Sequence, residues 1–218
     1  MQRHRGGRAF FSACSLRVNR DPDRTPLRER LRKQRAQLPA SERICAATAL
    51  AATLEQLPEF LVDARIAGYW AVRGEIPLHA AFASLRSRGQ AYCLPLLSED
   101  DALRFAPWQP DLPLRGNRYG IPEPDVPADA WLAPSDLDVV LVPLLGFDRR
   151  GNRLGSGGGW YDRSFAFLRD APRPAHPILV GIGYHFQEVA KLDQQPWDVR
   201  MDFVATDREL IHCTESTA

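Results

Sequence analysis

The sequence predicts an α/β fold: a single three-layer α/β domain with a mostly parallel sheet flanked by helices. Short apolar runs alternate along the chain with helical patterns, which is the order that places helices on the faces of a parallel sheet. The longest apolar run, residues 137–145, is typical of a strand buried on both faces. At 218 residues the chain is long enough for one domain with a core that needs no disulfides.

The first helix begins near Arg24, where Thr25 can cap it and Pro26 suits its first turn. One face of this helix is apolar and another is basic. These faces are formed by Leu27, Leu31 and Leu38, and by Arg24, Arg28 and Arg32, with Arg35 nearby. A second, alanine-rich helix is predicted from Ser41 to just before Pro58.

Strands and further helices follow in alternation. Strands are predicted over 66–70, 91–94, 103–106, 137–145, 178–184 and 203–206. Helices are predicted over 78–88 and over 164–168, the latter beginning a few residues earlier. Residues 107–136 are rich in proline and glycine, and we expect them to form a long surface excursion of a kind that is often functional.

Composition excludes several classes of protein. With 44% apolar and 25% charged residues the chain is not intrinsically disordered, and its net charge of +1 creates no general attraction for nucleic acid or a membrane surface. No apolar run is long enough for a transmembrane helix. The four cysteines lack C-x-x-C spacing, which argues against a zinc or redox motif and indicates reduced thiols in a cytoplasmic protein. They are Cys14, Cys45, Cys93 and Cys213.

Residues 1–23 differ from the rest of the chain, because five arginines precede the first acidic residue, Asp21. We expect a disordered basic extension, followed by a single domain over 24–218. A mitochondrial presequence and a start codon assigned too early are the alternatives.

The richest motif is residues 143–163, P-L-L-G-F-D-R-R-G-N-R-L-G-S-G-G-G-W-Y-D-R, between the strongest strand and a helix. Backbone N–H groups of closely spaced glycines and a helix N-terminus can cradle phosphate, and Arg153 can add a bidentate contact. The glycines are Gly151, Gly155, Gly157, Gly158 and Gly159. Neither the Walker pattern nor G-x-G-x-x-G fits, since Trp160 occupies the last glycine position of the latter. The alternative is a flexible surface loop.

Three carboxylates complete the candidate site. Asp162 and Asp198 are candidate ligands of Mg²⁺, which takes one or two carboxylates together with substrate phosphates. Salt bridges, for instance from Asp162 to Arg163 or Arg24, are the alternative. Glu75 follows Trp70 beyond a strand, and a carboxylate beside aromatic side chains suits a heterocycle with N–H donors. An exposed loop glutamate is the alternative there.

From about residue 24 to residue 206 the sequence resembles the 5-formyltetrahydrofolate cyclo-ligase family. The motifs that carry the resemblance are R-T-P-L-R from Arg24, Y-W followed by G-E-I around Glu75, Y-G-I-P-E-P from Tyr119, the signature G-F-D-x-x-G-x-R-L-G-x-G-x-G-x-Y-D from Gly146 to Asp162, and W-D-V-x-M-D from Trp197. The family usually has lysine at the position of Arg24, and Tyr or Arg at Ser156 and Tyr at Trp160.

The resemblance implies a role for each matching residue. The ATP site would comprise Arg24, Thr25, Pro26, Leu27, Arg28, Arg153, Leu154, Gly155, Ser156, Gly157, Gly158, Gly159, Trp160 and Tyr161. The folate would contact Trp70, Glu75, Ser156, Gly157, Gly158, Gly159 and Trp160. Mg²⁺ would be held by Asp162 and Asp198, and Arg153, Tyr161 and Glu75 would be catalytic.

The implied reaction is ATP-dependent cyclisation of 5-formyltetrahydrofolate to 5,10-methenyltetrahydrofolate, with release of ADP and phosphate and phosphorylation of the formyl oxygen. It needs Mg²⁺ and ATP, no organic cofactor, no nucleic acid and no membrane, and we expect a monomer. Two alternatives remain: a sugar-phosphate isomerase or another phosphate-ligand enzyme on a related scaffold, and a non-catalytic protein that binds nucleic acid through the basic N-terminus.

Overall fold

The computed structural model describes residues 24–213, so the expected extension over 1–23 lies outside the described residues, as do residues 214–218. The described range contains five α-helices and eleven strands. The helices are α1 Thr25–Ala36, α2 Ala40–Leu54, α3 Pro58–Val62, α4 His79–Ser87 and α5 Trp160–Ser164. The strands are β1 Arg65–Ala67, β2 Ala91–Leu97, β3 Leu103–Pro107, β4 Leu114–Gly116, β5 Pro122–Pro124, β6 Val139–Pro143, β7 Gly146–Phe147, β8 Arg153–Leu154, β9 Ile178–Ile182, β10 Phe203–Ala205 and β11 Leu210–His212.

Seven strands form the central sheet in the order β11-β10-β9-β6-β1-β2-β3. The five inner strands are parallel, whereas both outer strands, β11 and β3, run antiparallel to their neighbours. Residues 139–142 of β6 are buried between its two parallel neighbours, as the apolar sequence of this strand predicts, and only the last residue, Pro143, is partly exposed. The prediction of an α/β fold with a mostly parallel sheet is therefore confirmed.

The two faces of the sheet are covered unequally. Helices α2, α3 and α4 cover one face, where Leu50 and Leu85 are fully buried in the same cluster as Val139. The other face is covered by α5, by the 3₁₀ turn Ala166–Leu168 and by the segments around Phe147. The predicted helix over 164–168 thus consists of a short α-helix and a 3₁₀ turn, which make this layer thin.

Strand β1 is shorter than predicted, because the chain leaves the sheet at Gly68. A Cβ on Gly68 would lie 2.2 Å from the hydroxyl oxygen of Tyr92, so only glycine lets the Tyr92 ring pack there. The next residue, Tyr69, turns its hydroxyl to the carbonyl oxygen of Ile76. Residues 69–75 are therefore not part of the sheet and form the loop that follows the carboxyl end of β1.

Strand β2 is longer than predicted and continues through Pro95. β1 pairs with β2 only as far as Cys93, and the backbone N–H of Phe105, opposite Pro95, bonds instead to the carbonyl oxygen of Leu132. The missing N–H of Pro95 therefore costs the ladder no bond, which is why proline is tolerated at this point.

The proline- and glycine-rich segment 107–136 contains elements that the sequence did not predict. These are the hairpin of β4 and β5 and two 3₁₀ turns. Proline within β5 weakened the strand pattern in the sequence. Helix α3 and strand β11, each five residues or fewer, were also absent from the prediction. No helix between residues 24 and 213 combines the length and apolar character needed to cross a bilayer.

Candidate active site

The glycine-rich segment begins at the carboxyl end of β6, in the middle of the sheet. Before α5 the chain forms a small antiparallel hairpin of β7 and β8 that the sequence did not predict. Asp148, a buried carboxylate, organises its turn by accepting hydrogen bonds from the backbone N–H groups of Asn152 and Leu192. In this turn Gly151 has a φ of +84°, and a Cβ there would lie 2.5 Å from the carbonyl oxygen of Met201. The hairpin is thus fixed to the segment that carries Asp198.

Residues 155–159 connect β8 to α5 as an open loop. Gly157 and Gly159 have φ angles of +99° and +66°, which glycine adopts without strain. A Cβ on Gly155 or Gly157 would find no atom within 4 Å, so packing among residues 24–213 does not demand glycine at these two positions. The loop therefore leaves room for another molecule to approach its backbone.

The basic face of α1 lies against this loop. Arg28 donates from Nε to the carbonyl oxygen of Gly155 at 3.2 Å, and Arg32 donates to the carbonyl oxygen of Ser156 at 2.9 Å. The structure thus brings together the two segments of the ATP site that the sequence predicted, although more than 120 residues separate them.

Apolar contacts fix α1 in this position. Leu31 is buried in a cluster with Leu145, Leu154 and Leu192, and Leu27 packs against it. The side chains of Leu27 and Leu154, both predicted to bind ATP, therefore serve packing, and their backbones are what a nucleotide would meet.

The start of α1 differs in one detail from the prediction. Pro26 lies in the first turn, as expected, but Thr25 is the first residue of the helix itself and not its cap. Arg24 occupies the cap position, and no side-chain hydrogen bond caps the helix. The prediction of a threonine cap is therefore wrong, because a residue within the helix cannot take the extended conformation that a capping side chain requires.

Each of the two aspartates predicted to bind metal is paired with an arginine. Asp162 Oδ1 accepts a hydrogen bond from Arg153 at 2.6 Å and another from the backbone N–H of Val199 at 3.1 Å. Arg153 is buried and also donates to the carbonyl oxygen of Val199. Asp198 Oδ2 lies 2.9 Å from Arg24. Salt bridges, the alternative considered from the sequence, are therefore present, but Asp162 pairs with Arg153 and not with Arg163 or Arg24.

The chemistry of these aspartates remains suited to Mg²⁺. The contacts described above use Oδ1 of Asp162 and Oδ2 of Asp198. The two aspartates lie near each other, because Asp162 accepts a hydrogen bond from the N–H of Val199, the residue after Asp198. Two carboxylates with substrate phosphates are a donor set that Mg²⁺ accepts. Between residues 24 and 213 the only group of three potential ligand side chains lies elsewhere, at His185, Glu188 and Glu209, where Arg149 bridges both glutamates.

Glu75 lies at the end of a tight turn that fixes its carboxylate. Arg73 and Gly74 both have positive φ, of +51° and +80°, and the backbone N–H of Glu75 bonds to the carbonyl oxygen of Val72. In return, Glu75 Oε2 accepts a hydrogen bond from the N–H of Val72 at 3.1 Å. A left-handed arginine is uncommon and marks a strained, over-determined turn. Tyr184 donates from its hydroxyl to the carbonyl oxygen of Gly74 at 3.0 Å.

The environment of Glu75 is buried and contains one close cation that the sequence analysis did not assign. Burial raises the pKa of the Glu75 carboxyl, and the hydrogen bond from Val72 and the positive charge of Arg35 lower it in part. A guanidinium nitrogen of Arg35 lies 3.9 Å from Glu75 Oε1. The sequence does contain a signal that Arg35 is buried. It lies four residues after Leu31 and three before Leu38, which places it on the apolar face of α1.

Aromatic side chains form a wall beside the Glu75 turn. Trp70 is 37% exposed and meets Trp108 edge to face, with 6.0 Å between ring centroids. Trp108 in turn lies 5.5 Å from Phe82, which packs on Tyr92. The indole N–H of Trp108 is buried and has no partner among the residues that the structure describes. Trp108 was missed in the sequence because it stands at the start of the proline-rich segment.

The side chains of Tyr161 and Trp160 lie in different environments. Tyr161 stacks on Phe165, and burial, followed by the charge of Glu75, raises the pKa of its hydroxyl well above the usual value. It is therefore a neutral hydrogen-bond donor at physiological pH. The ring of Trp160 is covered by the guanidinium groups of Arg118 and Arg163, at 5.2 and 4.9 Å from its centroid, next to the β4–β5 segment.

Comparison with known proteins finds relatives that match most of the chain. A sequence profile of the 5-formyltetrahydrofolate cyclo-ligase family matches residues 20–207. The chain belongs to this family. The 5-formyltetrahydrofolate cyclo-ligase of Haemophilus influenzae is 34% identical over 178 residues, which cover 81% of this chain and 93% of that protein. The cyclo-ligase of Mycolicibacterium smegmatis is 31% identical over 85% of this chain and 94% of its own length.

Solved structures of this cyclo-ligase family have the same fold. The NMR structure of Aquifex aeolicus 5,10-methenyltetrahydrofolate synthetase aligns with a TM-score of 0.74 and 26% identity, covering 89% of this chain and 95% of that one. A 5,10-methenyltetrahydrofolate synthetase from Mycoplasma pneumoniae aligns with a TM-score of 0.64 at 22% identity, which shows the fold alone.

These findings confirm the family inferred from the sequence motifs and, with it, the expectation of a ligase of folate one-carbon metabolism. The sugar-phosphate isomerase and nucleic-acid-binding alternatives are set aside. The roles of single residues stay predictions.

Proposed function

We propose that the protein closes 5-formyltetrahydrofolate to 5,10-methenyltetrahydrofolate and couples this step to the conversion of ATP to ADP and phosphate. The observation that carries the proposal is the contact of the basic face of α1 with the glycine loop, beside the Glu75 turn and its aromatic wall. A site for a polyphosphate and a site for a flat heterocycle thus adjoin, as transfer between the two substrates requires.

The nucleotide would bind between α1 and residues 153–161. Gly155 and Gly157 have open space at the position of a side chain, so phosphate oxygens can reach the N–H groups of the loop. Arg24 and Arg28 lie on the facing helix, and Arg153 adds a planar guanidinium whose remaining N–H groups can contact phosphate while Asp162 holds it in place.

Mg²⁺ would be held by Asp162 and Asp198 through the oxygens that their arginine partners leave available. When bound, the ion would neutralise charge on the phosphates during transfer. The two arginine–aspartate pairs would hold both carboxylates in place.

The folate would lie on the aromatic wall, with Trp70 against its ring system and Glu75 accepting its N–H groups. Tyr161 follows the glycine loop in sequence, and its neutral hydroxyl shares its electrostatic surroundings with Glu75. It would donate a hydrogen bond to an oxygen near the transferring group.

The reaction needs positioning more than covalent help from the protein. The formyl oxygen attacks the γ-phosphorus and ADP leaves, which converts a poor leaving group into a phosphate. N10 then attacks the activated carbon and loses its proton, and the carbon–oxygen bond breaks to release phosphate and the methenyl product. Arg153 and the loop N–H groups would neutralise the charge that develops during both steps.

Two measurements test the proposal. Methenyl product is followed by its near-ultraviolet absorbance with ATP, without ATP and with a non-hydrolysable ATP analogue, and we expect product only with ATP, in equal amount to phosphate. Substrate carrying ¹⁸O in the formyl group should yield phosphate containing that oxygen. Product formation without ATP, or unlabelled phosphate, would contradict the coupling and the phosphorylated intermediate respectively.

We also propose that residues 24–218 act as a single monomeric domain in the cytoplasm, with folate and ATP as its partners and without nucleic acid or membrane. Support comes from the net charge of +1, from the family match over 20–207 as one unit, and from the free thiols of Cys45, Cys93 and Cys213. Gel filtration with light scattering tests the monomer.

A further inference from the structure

Arg35 is the most deeply buried arginine of α1 and no part of the proposed function uses it. It is 2% exposed, at the end of the helix opposite to Arg24. Its Nε is buried without a hydrogen-bond partner among residues 24–213. An arginine buried in this way is costly unless a charge compensates it.

The compensating charge is Glu75. The two side chains are 3% and 11% exposed, and the nearest nitrogen and oxygen are 3.9 Å apart, an ion pair without a direct hydrogen bond. The backbone of the Glu75 turn also rests on Arg35, since a Cβ on Gly74 would lie 3.3 Å from the carbonyl oxygen of Arg35. Both the charge and the backbone of the turn are therefore matched to this arginine.

We propose that Arg35 is a positioning residue that holds the Glu75 carboxylate ionised and oriented for folate, so that α1 serves the nucleotide with its first turns and the folate with its last. The inference rests on the proposed role of Glu75. It goes beyond that role because it makes one helix a common support of both subsites.

The other groups around Glu75 do not replace Arg35. The positive charges that lower the pKa of Glu75 are those of Arg35 and then Arg73, which is exposed. The remaining titratable neighbours are the hydroxyls of Tyr69, Tyr161 and Tyr184, whose pKa values are all raised, so they are neutral at physiological pH. Removal of Arg35 should therefore raise the pKa of Glu75 further.

The test compares Arg35→Gln, Arg35→Lys and wild type by the pH dependence of kcat/KM for each substrate. Since ionised Glu75 binds folate, activity falls as the pH drops through the pKa of Glu75. We expect the acid limb of kcat/KM for folate to move to higher pH in Arg35→Gln, with at least a tenfold rise in the folate KM and little change in the ATP KM. Arg35→Lys should restore the limb in part.

Matched variants separate this role from a structural one. Arg73→Gln should shift the acid limb less, and Arg30→Gln, on the exposed side of α1, should not shift it at all. If Arg35→Gln does not fold, the neutral variant Arg35→Met is compared with the charged variant Arg35→Lys, and an acid limb at the same pH in both overturns the proposal. An unshifted limb in folded Arg35→Gln does so too. Wild-type protein that makes no product with ATP would instead overturn the proposed function.

Discussion

At the scale of single residues, Arg153 belongs both to the structure and to the proposed chemistry. It is buried against Asp162 and Val199, and its guanidinium would also face phosphate. Arg153→Ala should therefore reduce kcat/KM for ATP by an amount that corresponds to about 2–4 kcal/mol, and Arg153→Lys should recover only part because the planar fork is lost. Steady-state kinetics measure this, with Arg169→Ala as an exposed arginine control.

The same substitution removes the partner of Asp162, so the melting temperature of Arg153→Ala should fall as well. Kinetics are therefore compared well below the melting temperature of the variant. If a folded Arg153→Ala protein has wild-type kinetics, the proposed contact of Arg153 with phosphate is wrong. The ion pair with Asp162 would then explain why Arg153 is buried.

Glu75→Gln keeps the size of the side chain but places an N–H donor opposite the N–H donors of the folate. We expect the folate KM to rise or kcat to fall by about tenfold or more, which corresponds to the ~1.5–3 kcal/mol of a hydrogen bond to a charged group. ATP binding, measured alone by calorimetry, should barely change, since Arg28 and the Gly155 loop lie on other elements. Weakened ATP binding with normal folate binding would reverse the assignment of the two subsites.

The two aspartates are tested by magnesium titration. Asp162→Asn should require more Mg²⁺ for half-maximal rate, because a neutral amide is a weaker ligand for a hard cation. Asp198→Asn should show the same effect, and it also weakens the pair with Arg24. Unchanged midpoints in both variants would leave these residues with their salt bridges alone.

Sequence reasoning identified the candidate site residues but not the partners of their side chains. Glu75, Asp162 and Arg153 stand in motifs, and their chemistry can be read from residue type and spacing. Asp198 and Arg24 are 174 residues apart, and no local pattern connects them. Arg35 shows the limit most clearly, since its place on an apolar helix face signals burial but not which charge it meets.

At the scale of elements, glycine is required for different reasons in the β7–β8 hairpin and in the loop that follows it. Gly151 has a positive φ, and a Cβ at this position would clash with the backbone of Met201. Gly155 does not have a positive φ, and a Cβ there would have no neighbour within 4 Å. We expect Gly151→Ala to lower stability by about 1–3 kcal/mol. Gly155→Ala should leave the melting temperature unchanged and raise the ATP KM, because the added methyl would occupy the path of the phosphates.

Chemical denaturation and ATP kinetics of both variants decide this, and each variant is the control for the other. A Gly155→Ala protein with normal ATP kinetics would show that the loop backbone does not approach the nucleotide.

Element boundaries were predicted least well where tertiary contacts decide them. Ring packing of Tyr92 ends β1 at Gly68, and the pairing of Phe105 with Leu132 lets β2 pass through Pro95. The hairpin of β7 and β8 depends on the buried carboxylate of Asp148, whose partner at Leu192 is 44 residues away. None of these contacts has a periodic signature in the sequence.

At the scale of the whole molecule, the strand–helix alternation predicted the fold class because parallel strands need covered faces. It did not reveal the antiparallel outer strands. β11 is only three residues long and has no recognisable pattern, whereas β3 was predicted as a strand but its pattern gives no information about its direction. The site could be placed at the strand ends from sequence, but its assembly by α1 depends on packing against Leu145 and Leu154.

The N-terminal boundary of the functional unit can be tested by truncation. The family match begins at residue 20, and the contacts that fix α1 at the site begin at Arg24, which pairs with Asp198. The sequence of residues 1–20 has no periodic apolar face that would dock on the domain. Deletion of residues 1–20 should therefore leave kcat/KM unchanged for both substrates and the unfolding free energy within about 0.5 kcal/mol of the full chain.

Deletion of residues 1–28, which also removes Arg24 and Arg28, should raise the ATP KM sharply and lower the melting temperature, since the first turn of α1 is lost. Urea denaturation and steady-state kinetics of the full chain and the two truncated chains compare them directly. A shorter truncation that already behaves like the longer one would move the start of the functional unit upstream of residue 20.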